Sequence, residues 1–464
     1  MSATQQADKP APQPGKQVIP LSEALEKLSK LEQDNKLTEA DDLAMRMLAA
    51  MPEHPHILHL AGIVSYRNGR IAEAIERMEK SQVIAPDVAL YPRNMCEVYR
   101  GAGRLEDAVR AGKRAIELAP KDSRAYFNLA LILYEKLDLE ESVRVAEQAI
   151  ELEPDYPEAH FEKAEALLLA GKMKEGWESY EWRFKLKQAE GMLPKTDKPQ
   201  WDGQPLPPGR LLIIGDQGFG DCIQFGRLIP WAALLCPQPI VACSGELTPI
   251  LRQLPGIGKF VTKWEDTGDY DAYIPLSGLP RLAGIGTDNV PPAGYLAAPP
   301  HLVEEWREKL DLLCPKGKKR VALVWAGRPT HKNDKKRTLK LKQFAPLFER
   351  EDICIVTVQK GEQISQAGAY YGRAPLINLG PEIGDFLDTM AILKNVHHLV
   401  TIDTSVAHVA GAIGAPASLV LPKAPDWRWL LDREDTPWYP SIKLFRQQTA
   451  YDWSGVIERV AAEL

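Results

Sequence analysis

The sequence predicts an α + α/β protein: a superhelix of repeated helix pairs, then a two-lobed α/β region built on parallel strands. Three observations predict it. Prolines stand at 52, 86, 120 and 154, a fixed period of 34 residues. Only 8 of the 33 glycines precede residue 190, so the composition changes there. Beyond that point short apolar runs alternate with helical stretches, the pattern of buried parallel strands and their crossovers.

Length and charge bound the rest. With 464 residues, 45% hydrophobic and 26% charged, the chain is long enough for about three domains. No run approaches the roughly 18 unbroken apolar residues of a membrane-spanning helix; the longest, Leu228 to Cys236, has a proline inside. The 57 basic and 63 acidic residues give a net charge of −6, which argues against general affinity for nucleic acid or anionic lipid. Residues 1–17 are rich in Ala, Gln, Pro and Lys without a signal-like apolar core, and are expected to form a disordered leader. Six cysteines without a C-x-x-C pair predict no disulfide staple and no zinc site, and fit a reduced, cytoplasmic protein.

The repeats are expected over 18–190. Gly69, Gly103 and Gly171 fall 17 residues after a proline, and Ala40, Ala74 and Ala108 fall 12 before one. Each period then holds two helices and two turns: alanine permits close helix approach, glycine serves the inner turn, and proline stops the second helix. Four repeats run from Leu21 to Asp155. A fifth, from Tyr156, carries Gly176 in the small-residue slot, followed by Trp177, Tyr180, Trp182 and Phe184, which reads as a cap packed onto the region C-terminal to it. His54, His56 and His59 gather around a helix start and read as exposed surface rather than a metal site. Asn94 and Asn128 lie eight residues after a proline. An amide there can pair with both donor and acceptor of a bound peptide, or simply face solvent.

A proline-rich linker at 191–208 leads to the strand-like runs at 210–215, 239–243, 320–327, 353–359 and 398–403. Proline-rich 291–300 and basic 316–320 divide this region into lobes at 209–300 and 301–464. Open parallel sheets bind ligands beyond their carboxyl ends, where helix N-termini offer free amides. Three segments fit. "LLIIGDQGFGDCIQFGRLIP" runs from a strand through Gly215, Gly218 and Gly220 into a helix near Asp221, which is a cap or a chemical group. Its spacing matches neither the dinucleotide fingerprint nor a phosphate loop. "WAGRPTHKNDKKRTLKLKQF" sets Lys332, Lys335, Lys336, Arg337, Lys340 and Lys342 against Asp334, an anion site or a solvated loop. "HLVTIDTSVAHVAGAIGAP" puts Asp403, Thr404 and Ser405 at a strand end, suited to a diphosphate or to capping a helix with His408 in its core. Trp325, Gln359, Trp427 and Trp429 are open between contacting a nucleotide base and filling the core.

Two resemblances gather these features. The segment "AYFNLALILYEKLDLEESVRVAEQAIELEP" resembles the tetratricopeptide repeat. The stretch from Pro199 to Leu464, with its tail "PDWRWLLDREDTPWYPSIKLFRQ", resembles glycosyltransferases of GT-B type, two Rossmann-like lobes, in the heptosyltransferase-like branch. That resemblance implies Asp221 as the general base toward the acceptor. It implies donor contacts from Gly218, Gly220, Gly327, Lys336, Arg337, Gln359, Asp403, Thr404, Ser405 and His408, while the resemblance of the repeats to those of protein O-glycosyltransferases implies acceptor contacts from Asn94 and Asn128. The expected activity is inverting, metal-independent transfer of a sugar from a nucleotide-sugar, a substrate rather than a cofactor, to a protein such as flagellin or another surface protein. The alternative is a repeat scaffold with a catalytically degenerate nucleotide-sugar-binding domain.

Overall fold

The computed structural model describes residues 20–206, 208–331 and 333–464, so the leader expected at 1–17 and the side chain of Lys332 lie outside the described residues. The chain divides into two compact units, one ending at Ile132 and one beginning at Leu133. The cut falls inside a repeat helix, not at the proline-rich stretch 191–208.

The first unit holds α1 (Leu21–Gln33), α2 (Leu37–Ala50), α3 (Pro55–Arg67), α4 (Ile71–Ile84), α5 (Leu90–Gly101), α6 (Leu105–Leu118) and most of α7 (Ser123–Glu135). The second opens with α8 (Leu139–Leu152), α9 (Pro157–Leu169) and α10 (Met173–Tyr180). The turn inside each pair is local chemistry. Gly69 has φ 80, its N–H reaches the Tyr66 carbonyl at 2.9 Å, and the Arg70 N–H reaches Ser65 at 2.9 Å, so the outgoing carbonyls of α3 are satisfied. Gly103 and Gly171 repeat this with φ 73 and 79. The same register is taken by Asn35 (φ 59) and Leu137 (φ 66), two non-glycine residues in the left-handed region. Leu137 bears a strain of about 1–2 kcal/mol there and offsets it by packing on the core. Ala40, Ala74 and Ala108 are fully buried between paired helices.

Two parallel sheets come next in the chain. The first comprises β1 (Leu211–Ile214), β2 (Ile240–Ala242), β3 (Lys259–Val261) and β4 (Ala272–Pro275) in the order β3-β2-β1-β4. The second comprises β5 (Lys319–Val324), β6 (Ile353–Thr357), β7 (Leu376–Asn378), β8 (His398–Ile402), β9 (Ala417–Leu421) and β10 (Ile442–Arg446) in the order β10-β9-β8-β5-β6-β7. Every residue of β1, β6 and β9 is buried, which is why β1 and β6 read as continuous apolar runs; β9 was not among the runs expected. In each sheet the winding reverses once: between β1 and β4, and between β5 and β8. At such a reversal the flanking loops part and open a crevice at the carboxyl ends of the strands.

The last repeat belongs to the α/β core. Trp177 and Tyr180 are 1% and 3% exposed. The Trp177 ring lies 5.2 Å from Trp427 and 6.3 Å from Phe225, and its Nε1 donates to the Ile285 carbonyl at 2.8 Å.

Candidate functional site

The crevice of the six-stranded sheet is built by the loops after β5 and β8. Trp325 to Gly327 leave β5, and the chain returns through a single turn, Asp334–Arg337. Thr338 ties that loop shut: Gly327 N–H donates to its Oγ1 at 3.0 Å, and Oγ1 donates to Asp334 Oδ1 at 2.7 Å. A Cβ at residue 327 would sit 2.6 Å from Asp334 Oδ1 and 3.2 Å from Arg337 Nη2, so glycine is required for this closure. Gln359 pins the same loop from β6, accepting from the N–H groups of Trp325 (3.0 Å) and Ala326 (2.9 Å) and donating to the Ala326 carbonyl (3.0 Å). Its amide is spent on the scaffold, which corrects its assignment as a donor contact. Across the crevice Asp403 and Thr404 leave β8, and Thr404 precedes the helix Ser405–Ala412.

Besides the indole nitrogens of Trp325 and Trp429, two polar atoms here stand unpaired among the described residues. Arg337 Nε and Thr404 Oγ1 are buried and find no hydrogen-bond partner among the described residues; Asp334 Oδ1 is 3.9 Å from that Nε. Burial of unpaired polar groups costs free energy that native structures seldom tolerate without a function. Asp403 sits among them with its carboxyl pushed up to about 6, by burial first and by the Asp426 charge second, against the pull of Arg337 and Arg428.

At the β1/β4 reversal of the four-stranded sheet the polar groups pair with one another, beside a cavity of about 270 Å³ lined by Gly215, Asp216, Cys243, Ser244 and Trp264. Asp216, following β1, accepts from Ser277 N–H at 3.0 Å and from the Ser277 hydroxyl, beside the end of β4. Arg183, just beyond α10, donates to Ser277 Oγ at 3.1 Å through Nε and lies 3.9 Å from Asp216 Oδ2. Burial raises the Asp216 carboxyl, while Arg183 and the Ser277 bonds pull it down.

Between the two sheets, α11 (Phe219–Gly226) carries Asp221 in its first turn, where its charge suits the helix dipole. Asp221 Oδ1 accepts from Arg428 Nη2. Gly220 faces His408, and a Cβ there would stand 2.6 Å from the ring's Cδ2. His408 bonds Tyr439 Oη at 3.0 Å through Nδ1, and burial, then Arg428, lowers its pKa to about 3, so the ring is neutral. It is a packed core histidine wedged between the lobes.

The structure thus gathers Gly218, Gly220, Asp221, Gly327, Arg337, Asp403, Thr404, Ser405 and His408 around the facing loops. Other predicted residues are engaged elsewhere. Lys336 Nζ pairs with Glu135 Oε1 at 2.7 Å, so it joins the loop to a repeat helix. Asn94 bonds His59 Nε2 at 3.0 Å, and Asn128 Nδ2 donates to the Arg93 carbonyl at 3.2 Å. Each holds adjacent helices together and keeps only part of its amide for a peptide. His59 is fully buried rather than exposed, and burial lowers its pKa to about 3. Trp325, Trp427 and Trp429 are core residues. Among the described residues no group of His, Cys, Asp or Glu could hold a metal ion, and no helix is long and apolar enough to cross a membrane.

Sequence reasoning missed Arg428, Asp426, Asp216 and Arg183. The signal for Arg428 was its place between Trp427 and Trp429, a charged residue inside an aromatic pair.

A tetratricopeptide-repeat family model matches residues 97–143 and 136–181. The helical region carries tetratricopeptide repeats. Stacked repeats of this kind present an extended face on which partners can bind. Along the chain, 26% identity over 457 residues links it to Protein FlbA of Caulobacter vibrioides, covering 93% of this chain and 70% of that protein. Among solved structures, MamA from Desulfovibrio magneticus is 17% identical with a TM-score of 0.33, covering 37% of this chain and 96% of its own. YrrB, described as a repeat protein with an unusual peptide-binding site, is 17% identical with a TM-score of 0.30, covering 36% and 85%.

Proposed function

We propose that the protein is a glycosyltransferase of GT-B type, moving a sugar from a nucleotide-sugar to a hydroxyl on a protein selected by the repeats. The observation that carries this reading is the pair of buried, unpaired groups at the β5/β8 reversal, Arg337 Nε and Thr404 Oγ1, beside the start of the helix Ser405–Ala412. Convergent donors of this kind suit a diphosphate. In the proposed reaction the acceptor oxygen attacks the anomeric carbon while Asp221 takes its proton. The bond from that carbon to the diphosphate oxygen breaks, and the nucleoside diphosphate leaves with both electrons. One displacement inverts the centre. Arg337 and the helix start stabilise the charge on the leaving group, the part a metal ion takes in other transferases.

A second reading, a scaffold whose domain binds nucleotide-sugars without turning them over, is favoured by one contact: the Asp221 carboxylate is already bonded to Arg428. The test is a thermal-shift panel of UDP-, GDP-, ADP-, CMP- and TDP-linked sugars on the wild type and Arg337→Ala, followed by nucleotide release on mixing with candidate acceptor protein. Transfer requires a selective shift that Arg337→Ala loses, and release that needs the acceptor. A shift without release supports the scaffold; no shift at all refutes both nucleotide-sugar readings. A truncation at 190 is not informative, because it strips Trp177 and Tyr180 from the α/β core.

A further inference from the structure

Arg428 commits all three of its side-chain nitrogens. It lies in the 3-10 helix Trp427–Trp429, after β9, with a side chain 8% exposed. Its three nitrogens go three ways. Nε donates to Gln224 Oε1 at 2.8 Å, Nη1 to Asp426 Oδ1 at 2.8 Å, and Nη2 to Asp221 Oδ1. Gln224 and Asp221 both belong to α11 of the four-stranded lobe, while Asp426 belongs to the six-stranded lobe. One planar guanidinium therefore fixes the opening of α11 against the loop after β9. The guanidinium is held in turn: Cζ sits 4.1 Å over the Trp427 ring, and Asp426, which burial alone would push up, is kept below the usual carboxylate range by Arg428.

The consequence falls on Asp221. With Oδ1 bonded to Arg428, the carboxylate is held at that oxygen. Oδ2 makes no hydrogen bond among the described residues. Residue 218 is glycine, and a Cβ there would approach Oδ2 to 3.1 Å, so the absence of a side chain keeps that oxygen open. A fork-shaped donor in fixed geometry is what arginine offers and lysine does not.

We propose that Arg428 is a positioning residue for the transfer reaction: reaching across the two lobes, it holds one oxygen of Asp221 so that the other, Oδ2, faces the acceptor hydroxyl. This rests on the glycosyltransferase reading, and Arg428 itself touches neither donor nor acceptor. Loss of the fork misorients the base by an ångström or so, which costs on the order of 100-fold in turnover without weakening the donor site.

The experiment measures nucleotide release and donor KM for the full chain, with whichever nucleotide-sugar of the panel the wild type turns over. Arg428→Lys is expected to lower kcat about 100-fold with donor KM unchanged. Gln224→Met is the second variant, in case the first does not fold. It removes one anchor of Arg428 and also a buried amide nitrogen, Nε2, that has no partner among the described residues, which offsets the Arg428 Nε it leaves unpaired, so the variant should fold. Its kcat should still drop, by about 10-fold. In an Asp221→Asn background neither substitution should have a further effect, because there is no base left to aim. Wild-type kcat in a folded Gln224→Met, additive losses in the Asp221→Asn background, or a loss confined to donor KM would each overturn the positioning role while leaving the transferase reading in place. A wild type that releases nucleotide from no donor overturns both.

Discussion

The two sheets reverse their winding in the same way, yet the protein treats the two resulting crevices differently. At the β1/β4 reversal the polar groups find one another: Asp216, Ser277 and Arg183 form a closed set, with Arg183 supplied from beyond the last repeat. At the β5/β8 reversal Arg337 Nε and Thr404 Oγ1 stay unpaired, and Asp403 is held near the edge of ionisation. Topology makes both places suitable for a ligand. What separates them is whether side chains already supply the counter-charge and the hydrogen bonds a ligand would bring. The β1/β4 reversal has become a joint, and the β5/β8 reversal keeps buried polar groups without partners among the described residues.

The comparison can be broken experimentally, beginning with the joint. Arg183→Met should destabilise the protein by about 3–5 kcal/mol in denaturant titration, because it strands the buried Asp216 carboxylate. A loss below about 1 kcal/mol would mean the set is a surface-like pair and the contrast is false. Arg337→Ala tests the other side. It should leave unfolding almost unchanged while removing the thermal stabilisation by a nucleotide-sugar, about 2.7 kcal/mol at 100 times the dissociation constant. Severe destabilisation of the unliganded protein would show that Arg337 is structural after all.

Asp403 adds a pH signature. Its folded pKa, about 6, lies above the ordinary carboxyl value, so the native state holds the proton more tightly than the unfolded chain. Its contribution is present at low pH and is lost as pH rises through about 6. Asp403→Asn should therefore be more stable than the wild type above that pH, on the order of 2 kcal/mol, with the gap closing toward pH 4. A gap independent of pH would contradict the raised value. The smallest effect is expected from Gly220→Ala, where the added methyl meets the His408 ring and costs about 1 kcal/mol. Unchanged stability would mean that the two lobes do not bear on each other at this contact.

The repeats were legible because their signals are local. A proline stops a helix and a glycine closes a turn through their own backbone constraints, so the 34-residue spacing of Pro52, Pro86, Pro120 and Pro154 carried through to helix boundaries. The exceptions share a cause. Leu137 stands in a glycine's place because its side chain reaches the core, which no turn propensity encodes. Strands β1, β2, β5, β6 and β8 were visible as apolar runs; β3 and β7 are short and partly exposed and so carry no apolar pattern, and β4, β9 and β10 were also not expected. In the candidate site the glycine turn, Arg337 and the Asp403 loop were readable from their position after strands. The neighbours that Lys336, Gln359 and the asparagines Asn94 and Asn128 engage were not readable, since a polar residue in a loop or on a helix looks the same whether it faces a ligand or a neighbour.

The sequence by itself determined where helices stop, which segments are buried on both sides, and which loops carry glycine, hydroxyl and charge, because each depends on residues within a few positions of one another. Only the tertiary structure decided which charges are already satisfied. Arg428 meets Asp221 across 207 positions of sequence, and Arg183 meets Ser277 across 94. A hydrogen bond depends on distance in space, and the chain brings such residues together only after both sheets and the last repeat have packed on one core.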